Sequence, residues 1–333
     1  MTSLSDLSKL SGYSKATISR ALSGNGYVSK ETRKIILDLA KELDYTPNAI
    51  AQDLSAGTTK NIGVVLPYVK HPFFGQILEG ILDKSFETGY KIVILPSNYD
   101  QNLEIQYLEQ LRKKAFEALI FTSREVSEQT VHKYQKYGPI ILCHKPKSKK
   151  IAASYAERKI GYRKALEWLQ EQNCNNIGFL FARYKSPTTS VTLQTYKEIY
   201  EEKVRDEQIK TGAVSSADGY KLGPQLTQFD AIFANSDDIA ANVWRWFEQQ
   251  KIPKPVIIGQ ESLISGQVLN IPTVNNHFQQ VGRCAFELAI SKEIQQLAIK
   301  SEFIHTSHLL NLVSEIKKRG ALAPPVHLAT RLS

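Results

Sequence analysis

The stretch "GYSKATISRALSGNGYVSKETR" (12–33) contains two helix starts separated by a turn. Ser14 is a good N-cap, and the apolar residues that follow it, Ile18, Ala21 and Leu22, fall on one helical face. The segment "SGNG" (23–26) has turn composition, and Ser29 can cap a further helix. Two helices joined by a short turn that contains glycine predict a helix-turn-helix motif.

The flanking residues extend this motif to a three-helix head. Upstream, Ser3 followed by Asp6 gives an N-cap signal, leucines recur at helical spacing over 4–10, and Gly12 breaks the helix. Downstream, "KETRKIILDLAKELDY" (30–45) predicts a third helix with Ile35, Ile36, Leu39 and Leu43 facing inward. No strand-like run occurs before residue 46, so we expect residues 1–46 to form an all-helical unit.

The next segment, "TPNAIAQDLSAG" (46–57), has the pattern of one very short helix. Asn48 is an N-cap residue, Ile50 and Leu54 fall on one face, and Gly57 suits the far end. A helix of fewer than about ten residues is not stable alone in water. We therefore expect residues 47–60 to form a hinge helix and linker whose helix depends on a partner.

After residue 60, apolar runs alternate with amphipathic helical patterns, which predicts parallel sheets covered on both faces. We expect two lobes: lobe 1 over 61–155 with a late crossover strand near 276–310, and lobe 2 over 156–275. Ligands of such sheets bind at the carboxyl ends of the strands, here in the cleft between the lobes. No role follows from the sequence for the tail, 311–333. The runs interpreted as strands are 61–68, 90–97, 118–123, 139–145, 176–182, 209–214, 231–236 and 255–260.

Composition bounds the class of protein. The 333 residues carry 42 Lys and Arg against 33 Asp and Glu, a net charge of +9, which is compatible with a polyanionic partner. Residues 1–60 hold eight basic and six acidic residues, so the head is only weakly basic. We expect no signal peptide and no membrane span, and a cytoplasmic protein with three reduced cysteines, Cys143, Cys174 and Cys284. No catalytic or metal-binding motif appears, so we predict no enzyme activity, no cofactor and no metal.

Four motifs carry a resemblance to a known family. They are "S-x-x-T-I-S-R" (14–20), "V-S-x-x-T-R" (28–33), "L-x-Y-x-P-N" (43–48) and "A-x-x-L" (51–54). In this order and spacing they resemble the DNA-binding segment of the lactose/galactose-repressor family of bacterial transcription regulators. The segment "HPFFGQILEGI" (71–81) and the two-lobed alternation extend the resemblance to about residue 310. It implies a helix-turn-helix head and an α/β periplasmic-binding-protein-like body of two lobes with parallel sheets.

The second helix of such a head enters the major groove through its N-terminal residues. Lys15 can donate to guanine, the Ala16 methyl can touch a thymine methyl, and Arg20 offers two donors to guanine or a phosphate. The resemblance further implies that the hinge helix orders on DNA, where Ala51 allows two such helices to approach and Leu54 enters the minor groove. The predicted DNA-binding residues are Ser14, Lys15, Ala16, Thr17, Ser19, Arg20, Ser23, Asn25, Tyr27, Ser29, Thr32, Asn48, Ala51 and Leu54.

The effector positions depart from the family pattern. Thr192 stands where the family carries an arginine, Ser236-Asp237 replaces its Asn-Asp pair, and Glu261 replaces its aspartate. Arg124 is a candidate substitute for the missing arginine. The predicted effector-binding residues are Phe73, Phe74, Tyr99, Thr122, Arg124, Thr192, Ser236, Asp237 and Glu261.

These observations predict a homodimeric DNA-binding transcription regulator, a repressor of carbohydrate-utilisation genes. We expect it to bind near-palindromic operator DNA and to respond to a small-molecule effector, a sugar or sugar phosphate. Two alternatives stay open at this point. The first keeps DNA binding but places control with a protein corepressor, and the second is a sugar-binding transport component, which the head disfavours.

Overall fold

Three serine-capped helices form the head: α1 (Leu4–Ser11), α2 (Lys15–Ser23) and α3 (Lys30–Glu42). The computed structural model describes residues 3–24, 26–46, 58–68 and 72–305. Each helix starts as predicted, because the hydroxyl oxygens of Ser3, Ser14 and Ser29 accept from the amide three residues on, at 3.1–3.3 Å. Such a cap is worth about 1 kcal/mol.

The head has its own small core. Leu7 of α1, Ile18 and Ala21 of α2, and Ile36 and Ala40 of α3 are almost fully buried together. Gly12 and Gly24 end the first two helices with φ of +74° and +75°, a conformation that glycine adopts without steric cost. The chain divides into two units after Lys60, and the head is the first of them.

Two six-stranded sheets, each covered by helices, form the second unit. In the first sheet the order is β11-β5-β4-β3-β1-β2, and all pairs are parallel. In the second the order is β12-β10-β9-β8-β6-β7, and only the edge pair β10–β12 is antiparallel. The strands are β1 (Asn61–Leu66), β2 (Lys91–Pro96), β3 (Ala118–Phe121), β4 (Ile140–Leu142), β5 (Ala152–Glu157), β6 (Ile177–Phe181), β7 (Ile209–Thr211), β8 (Ala231–Phe233), β9 (Val256–Gln260), β10 (Thr273–Asn275), β11 (Gln296–Lys300) and β12 (Glu302–Ile304).

The helices of this unit connect successive strands, as the alternation predicts. They are α4 (Pro72–Thr88), α5 (Gln101–Arg112), α6 (Glu128–Tyr134), α7 (Arg158–Glu171), α8 (Pro187–Tyr200), α9 (Ser216–Leu222), α10 (Asp237–Gln250), α11 (Ile264–Val268) and α12 (Phe278–Ser291). None of the helices in the described part of the chain is long and apolar enough to cross a membrane.

The chain passes between the lobes at three points. It leaves the first sheet after β5, returns through α12, and crosses again at Ser301 between β11 and β12. β5 extends two residues beyond the predicted end of lobe 1, and 276–310 supplies one strand to each sheet rather than a single crossover strand. The sequence signal is weak here because β5, "AASYAE", contains no run of large apolar residues.

Helix α12 belongs to the first lobe, where it packs directly against α4. The two backbones approach so closely that a Cβ on Gly80 would lie 1.9 Å from the Gln279 carbonyl oxygen. On the other helix, a Cβ on Gly282 would lie 2.0 Å from the carbonyl oxygen of Ile77. Glycine is therefore required at both positions for this contact, which packs the segment of the second crossing against lobe 1.

Candidate functional site

The first candidate site is the exposed face of α2. Ile18 and Ala21 point into the head core, whereas Lys15, Ala16, Ser19 and Arg20 are exposed. The helix thus presents a cation, a methyl group, a hydroxyl and a guanidinium from one surface. These are groups that read base edges and phosphates in a major groove.

Hydroxyl groups at the helix starts flank this face. Some of their donors and acceptors are already used in hydrogen bonds within the head. The Ser14 and Thr17 hydroxyls lie 2.9 Å apart, and both contribute to the cap of α2. At α3, Ser29 donates to Thr32 Oγ1 at 2.9 Å, which leaves the Thr32 hydroxyl proton to donate elsewhere. Ser23 closes α2, and the Tyr27 side chain beyond it is 95% exposed.

Four of the predicted DNA-binding residues, Asn25, Asn48, Ala51 and Leu54, lie outside the described residues. The hinge helix expected over 47–60 falls mostly in the same part of the chain.

The second candidate site is a cavity of about 770 Å³ between the two lobes of the body. Side chains just beyond the carboxyl ends of β1, β2, β3 and β4 form one wall, and those beyond β6, β8 and β9 form the other. Six predicted effector residues line it: Phe73, Phe74, Tyr99, Thr122, Arg124 and Glu261.

Aromatic rings form part of the lobe 1 wall. Tyr68 contacts Phe74 and Tyr99 edge-on, with ring centroids 5.4 and 5.9 Å apart. Phe73 packs against Phe74 and, at 4.6 Å, against Phe278 of α12. Tyr68 was not among the predicted effector-binding residues, although it ends the apolar run 61–68 that contains β1. A ring cluster of this kind suits the apolar face of a ligand.

Arg124 lines the cavity, and three of its N–H donors are bonded to groups of lobe 1. Its Nε donates to His144 Nε2 at 3.0 Å, its Nη1 to the Val126 carbonyl, and its Nη2 to Glu128 Oε1 at 3.1 Å. Burial and the nearby guanidinium lower the pKa of His144 to about 4, so the imidazole is neutral and accepts. Arg124 therefore braces the loop after β4 with three of its five N–H donors, and its role toward an effector stays a prediction.

Three predicted effector residues, Thr192, Ser236 and Asp237, do not line the cavity. Thr192 is fully buried in α8, where its hydroxyl donates to the Thr188 carbonyl at 3.0 Å. Ser236 caps α10, and its hydroxyl also bonds the Glu261 carboxyl. Asp237 accepts from Thr273 Oγ1 at 2.7 Å and from the Leu263 amide at 2.6 Å. All three lie behind the wall: Thr192 faces the interior from within α8, and Ser236 and Asp237 follow β8 but turn away from the cavity.

Glu261 is the buried acid of the cavity. It has a left-handed φ of +88°, and its carbonyl accepts from Gln76 Nε2 of the other lobe at 3.0 Å. Burial, followed by the nearby charge of Asp237, raises the pKa of Glu261 well above its usual range. The same burial raises the pKa of Asp237 to about 7. Burial thus shifts the titration of both carboxyl groups toward higher pH.

Several cavity residues were missed in the sequence. Arg158 begins α7 at the first crossing between lobes, Arg183 and Lys185 follow β6, and Asn235 follows β8. For Arg183, Lys185 and Asn235, a position at or just after the end of a predicted strand is the signal that could have identified them, whereas Arg158 follows β5, which has no such signal in the sequence. Within the described residues, no group of three or more His, Cys, Asp or Glu side chains is placed to hold a metal ion.

A helix-turn-helix head and a two-lobed body with a central cavity, in one chain, define a DNA-binding transcription regulator with a ligand-binding body. Residues 3–48 match the profile of bacterial regulatory proteins of the lacI family. Residues 59–306 match the profile of periplasmic binding proteins and the sugar binding domain of the LacI family. The chain therefore belongs to the lacI family of bacterial regulatory proteins.

Individual relatives agree with this assignment. Catabolite control protein B of Bacillus subtilis is 34% identical over 312 residues, which cover 91% of this chain and 99% of that protein. The ribose operon repressor of Halalkalibacterium halodurans is 27% identical over 310 residues, or 89% of this chain and 91% of that protein. The Lac repressor dimer bound to operator and the anti-inducer ONPF has the same fold, with a TM-score of 0.75 at 16% identity, covering 91% of this chain and 97% of that one.

Proposed function

We propose that this regulator represses carbohydrate-utilisation genes by binding operator DNA through its head and a small-molecule effector through its cavity. One observation carries the proposal: Lys15, Ala16, Ser19 and Arg20 are exposed together on α2, opposite its buried face. A helix presented in this way is suited to direct readout in the major groove. Because the target DNA of a bacterial regulator lies in the cytoplasm, we place the protein there.

The proposed division of labour follows the chain. Residues 1–46 read DNA, 47–60 form a hinge helix that orders on DNA, and the two lobes sense the effector. Asn48, Ala51 and Leu54 are proposed to act in the hinge. An effector with different affinities for two lobe arrangements shifts the equilibrium between them, and that shift controls hinge ordering.

A homodimer on a near-palindromic site is part of the proposal. Lobe 2 displays Ile264 and Val268 of α11 one helical turn apart, with 76% and 72% of their surface exposed. We assign this exposed apolar pair as the candidate contact with the second copy of the chain. Sedimentation equilibrium tests the assignment: Val268→Lys should lower the dimer fraction, and Lys164→Gln, a matched surface change on α7, should not.

A gel-shift with a palindromic operator probe tests the main proposal. The full chain should bind specifically, and deletion of 1–57 should abolish binding. Retained affinity in the truncated protein would overturn the proposal. Sites mapped genome-wide should lie beside carbohydrate-utilisation genes.

A second candidate, control by a protein corepressor, has one observation in its favour. At positions where relatives bind sugars, this chain carries Thr192, Ser236 and Asp237. Their side chains are turned away from the cavity. A thermal-shift screen with sugars separates the two candidates, because a saturating ligand raises the melting temperature. A small molecule that raises the melting temperature favours control by an effector. A screen in which no sugar raises the melting temperature favours control by a corepressor.

A further inference from the structure

We infer that the cavity binds an anionic ligand, a phosphate monoester of a sugar, through Arg158 and Lys185. The inference rests on the proposed function in one respect, since it takes the cavity to be the effector site. It goes further by assigning the charge of the ligand and the groups that bind it. The argument comes from the balance of charges around the wall.

Four of the basic side chains on the wall are paired with carboxylates. Arg183 lies 3.2 Å from Glu125, and Lys145 lies 3.9 Å from Glu157. The other two pairs are Arg124–Glu128 at 3.1 Å and Lys159–Glu198 at 2.8 Å. These pairs leave little net charge to attract a ligand.

Three further basic side chains on the wall have no such partner. Within the part of the chain that the structure describes, no carboxylate lies at ion-pair distance from Lys147, Arg158 or Lys185. Lys147 comes from lobe 1, Arg158 from the first crossing and Lys185 from lobe 2. An anion in the cavity can therefore draw on cations from both lobes.

Glu261 does not restore the balance. It is the one remaining acid on the wall among the described residues, and burial raises its pKa well above its usual range. A carboxyl group in its neutral form adds no negative charge to offset the three cations. It can still exchange hydrogen bonds with ligand hydroxyl groups.

Arg158 packs against aromatic rings, and its charge also acts on the Glu261 carboxyl, whose pKa it lowers against the larger effect of burial. Its guanidinium carbon lies 5.4 Å from the ring centroid of Phe73 and 4.8 Å from that of Phe278. One guanidinium nitrogen donates to Tyr162 Oη at 3.4 Å. Contacts of this type orient the cation without neutralising it, and a planar guanidinium matches a phosphate with two parallel hydrogen bonds.

Lys185 stands beside the start of α8. Residues 186–189, the cap and first turn of this 14-residue helix, line the same cavity. Pro187 has no amide N–H, and the Thr189 amide already donates to Ser186 Oγ at 3.1 Å, so the positive end of the helix dipole and the Thr188 amide are what favour an anion there. Lys185 and the start of α8 on lobe 2 line the same cavity as Arg158 at the crossing, and the anion is assigned to these groups.

The rest of the wall suits the sugar part of such a ligand. The rings of Tyr68, Phe73 and Phe74 offer an apolar surface, while Asn235 and Gln260 offer side-chain amides. Gln260 Oε1 accepts from Tyr162 Oη at 2.7 Å, and Tyr162 Oη accepts from Arg158, so two hydrogen bonds link the amide to the guanidinium. Hydroxyl recognition and phosphate recognition are thus adjacent.

Matched pairs of sugars and their phosphate monoesters test the inference on the full chain. Isothermal titration should be run with ribose and ribose 5-phosphate, glucose and glucose 6-phosphate, and fructose and fructose 6-phosphate, with inorganic phosphate as a control. At least one ester should bind ten times more tightly than its neutral sugar, and added salt should weaken it. Tighter binding of a neutral sugar, or no binding of any ester, would overturn the inference.

Variants locate the anion subsite. Arg158→Gln and Lys185→Gln should each weaken ester binding about tenfold or more, since each removes a charged hydrogen-bond donor. Lys164→Gln removes an exposed charge from α7 outside the cavity and should leave ester binding unchanged. Equal affinity in all three variants would place the anion elsewhere and contradict the assignment. A parallel gel-shift keeps the proposals distinct, because operator binding without ester binding would refute this inference and leave the regulator role standing.

Discussion

Arg183 of lobe 2 and Glu125 of lobe 1 form an ion pair across the cleft, with Nη1 and Oε1 3.2 Å apart. The Arg183 guanidinium also lies over the ring of Tyr99 of lobe 1, 3.9 Å from its centroid. Both contacts join side chains that follow strands of different sheets. Arg183 thus ties the lobes together at the cavity, and its contacts require the present lobe spacing.

Removal of these Arg183 contacts should change the spacing of the lobes more than it changes the free energy of unfolding. The pair is about two-fifths exposed, with side-chain exposures of 43% and 41%, so Arg183→Ala should cost no more than about 1 kcal/mol of unfolding free energy. The radius of gyration from small-angle X-ray scattering should increase because the open arrangement gains population. Lys221→Ala, which removes a pair within α9, is the control. An unchanged radius of gyration in Arg183→Ala would show that the pair does not hold the lobes.

Asp237 should make stability depend on pH between about 4 and 7. Burial raises its pKa from 3.8 to about 7 in the folded protein, so the folded state binds the proton more tightly than the unfolded state. This stabilisation is complete below pH 3.8 and is lost as the pH rises through 7. Asp237→Asn should therefore gain stability relative to the native protein from pH 5 to about pH 7, by at most about 1.4 kcal/mol per pH unit, and the difference should level off by pH 8.

Urea denaturation at pH 5, 6, 7 and 8 measures this difference. Asp238→Asn is the matched control, since its side chain is only half-buried and accepts from Ser265 Oγ. A constant difference between native protein and Asp237→Asn across the four pH values would contradict the prediction.

The head and the parallel sheets could be predicted because their signals are local. Ser14 and Ser29 cap helices in the sequence pattern and in the structure alike, and the apolar runs of β1 and β3 are buried on both faces. The weak runs β5, β10, β11 and β12 could not be assigned, because they are strands only through their neighbours in the sheet.

The cavity wall was harder to predict than the fold. Phe73, Phe74 and Tyr99 follow directly from their place near strand ends, whereas Asp237 and Ser236, equally well placed in sequence, turn behind the wall to bond Thr273, Leu263 and Glu261. Which of two neighbours faces a cleft depends on long-range hydrogen bonds. A single sequence does not encode these bonds in a readable pattern.

Leu54→Ala tests the hinge prediction, which lies outside the described residues and comes from the sequence alone. If Leu54 is inserted between base steps in the minor groove, the variant should bind operator more weakly and bend it less. Circular-permutation gel-shifts measure the bend angle, and Gln52→Ala serves as a control in the same segment. An unchanged bend in Leu54→Ala would exclude the wedge role.

Arg20→Ala should separate base reading from phosphate binding on α2. Arg20 is exposed in the last turn of the helix, so its loss should leave the head folded. A bidentate contact to guanine is worth about 1–3 kcal/mol, and its removal should relax specificity at one operator position. Lys41→Ala, which removes an exposed charge from α3, is the control. Affinities for an operator series with single base changes, each measured across a salt titration, provide the readout. A loss that is uniform over the series, with a shallower salt slope, would instead assign Arg20 to a phosphate.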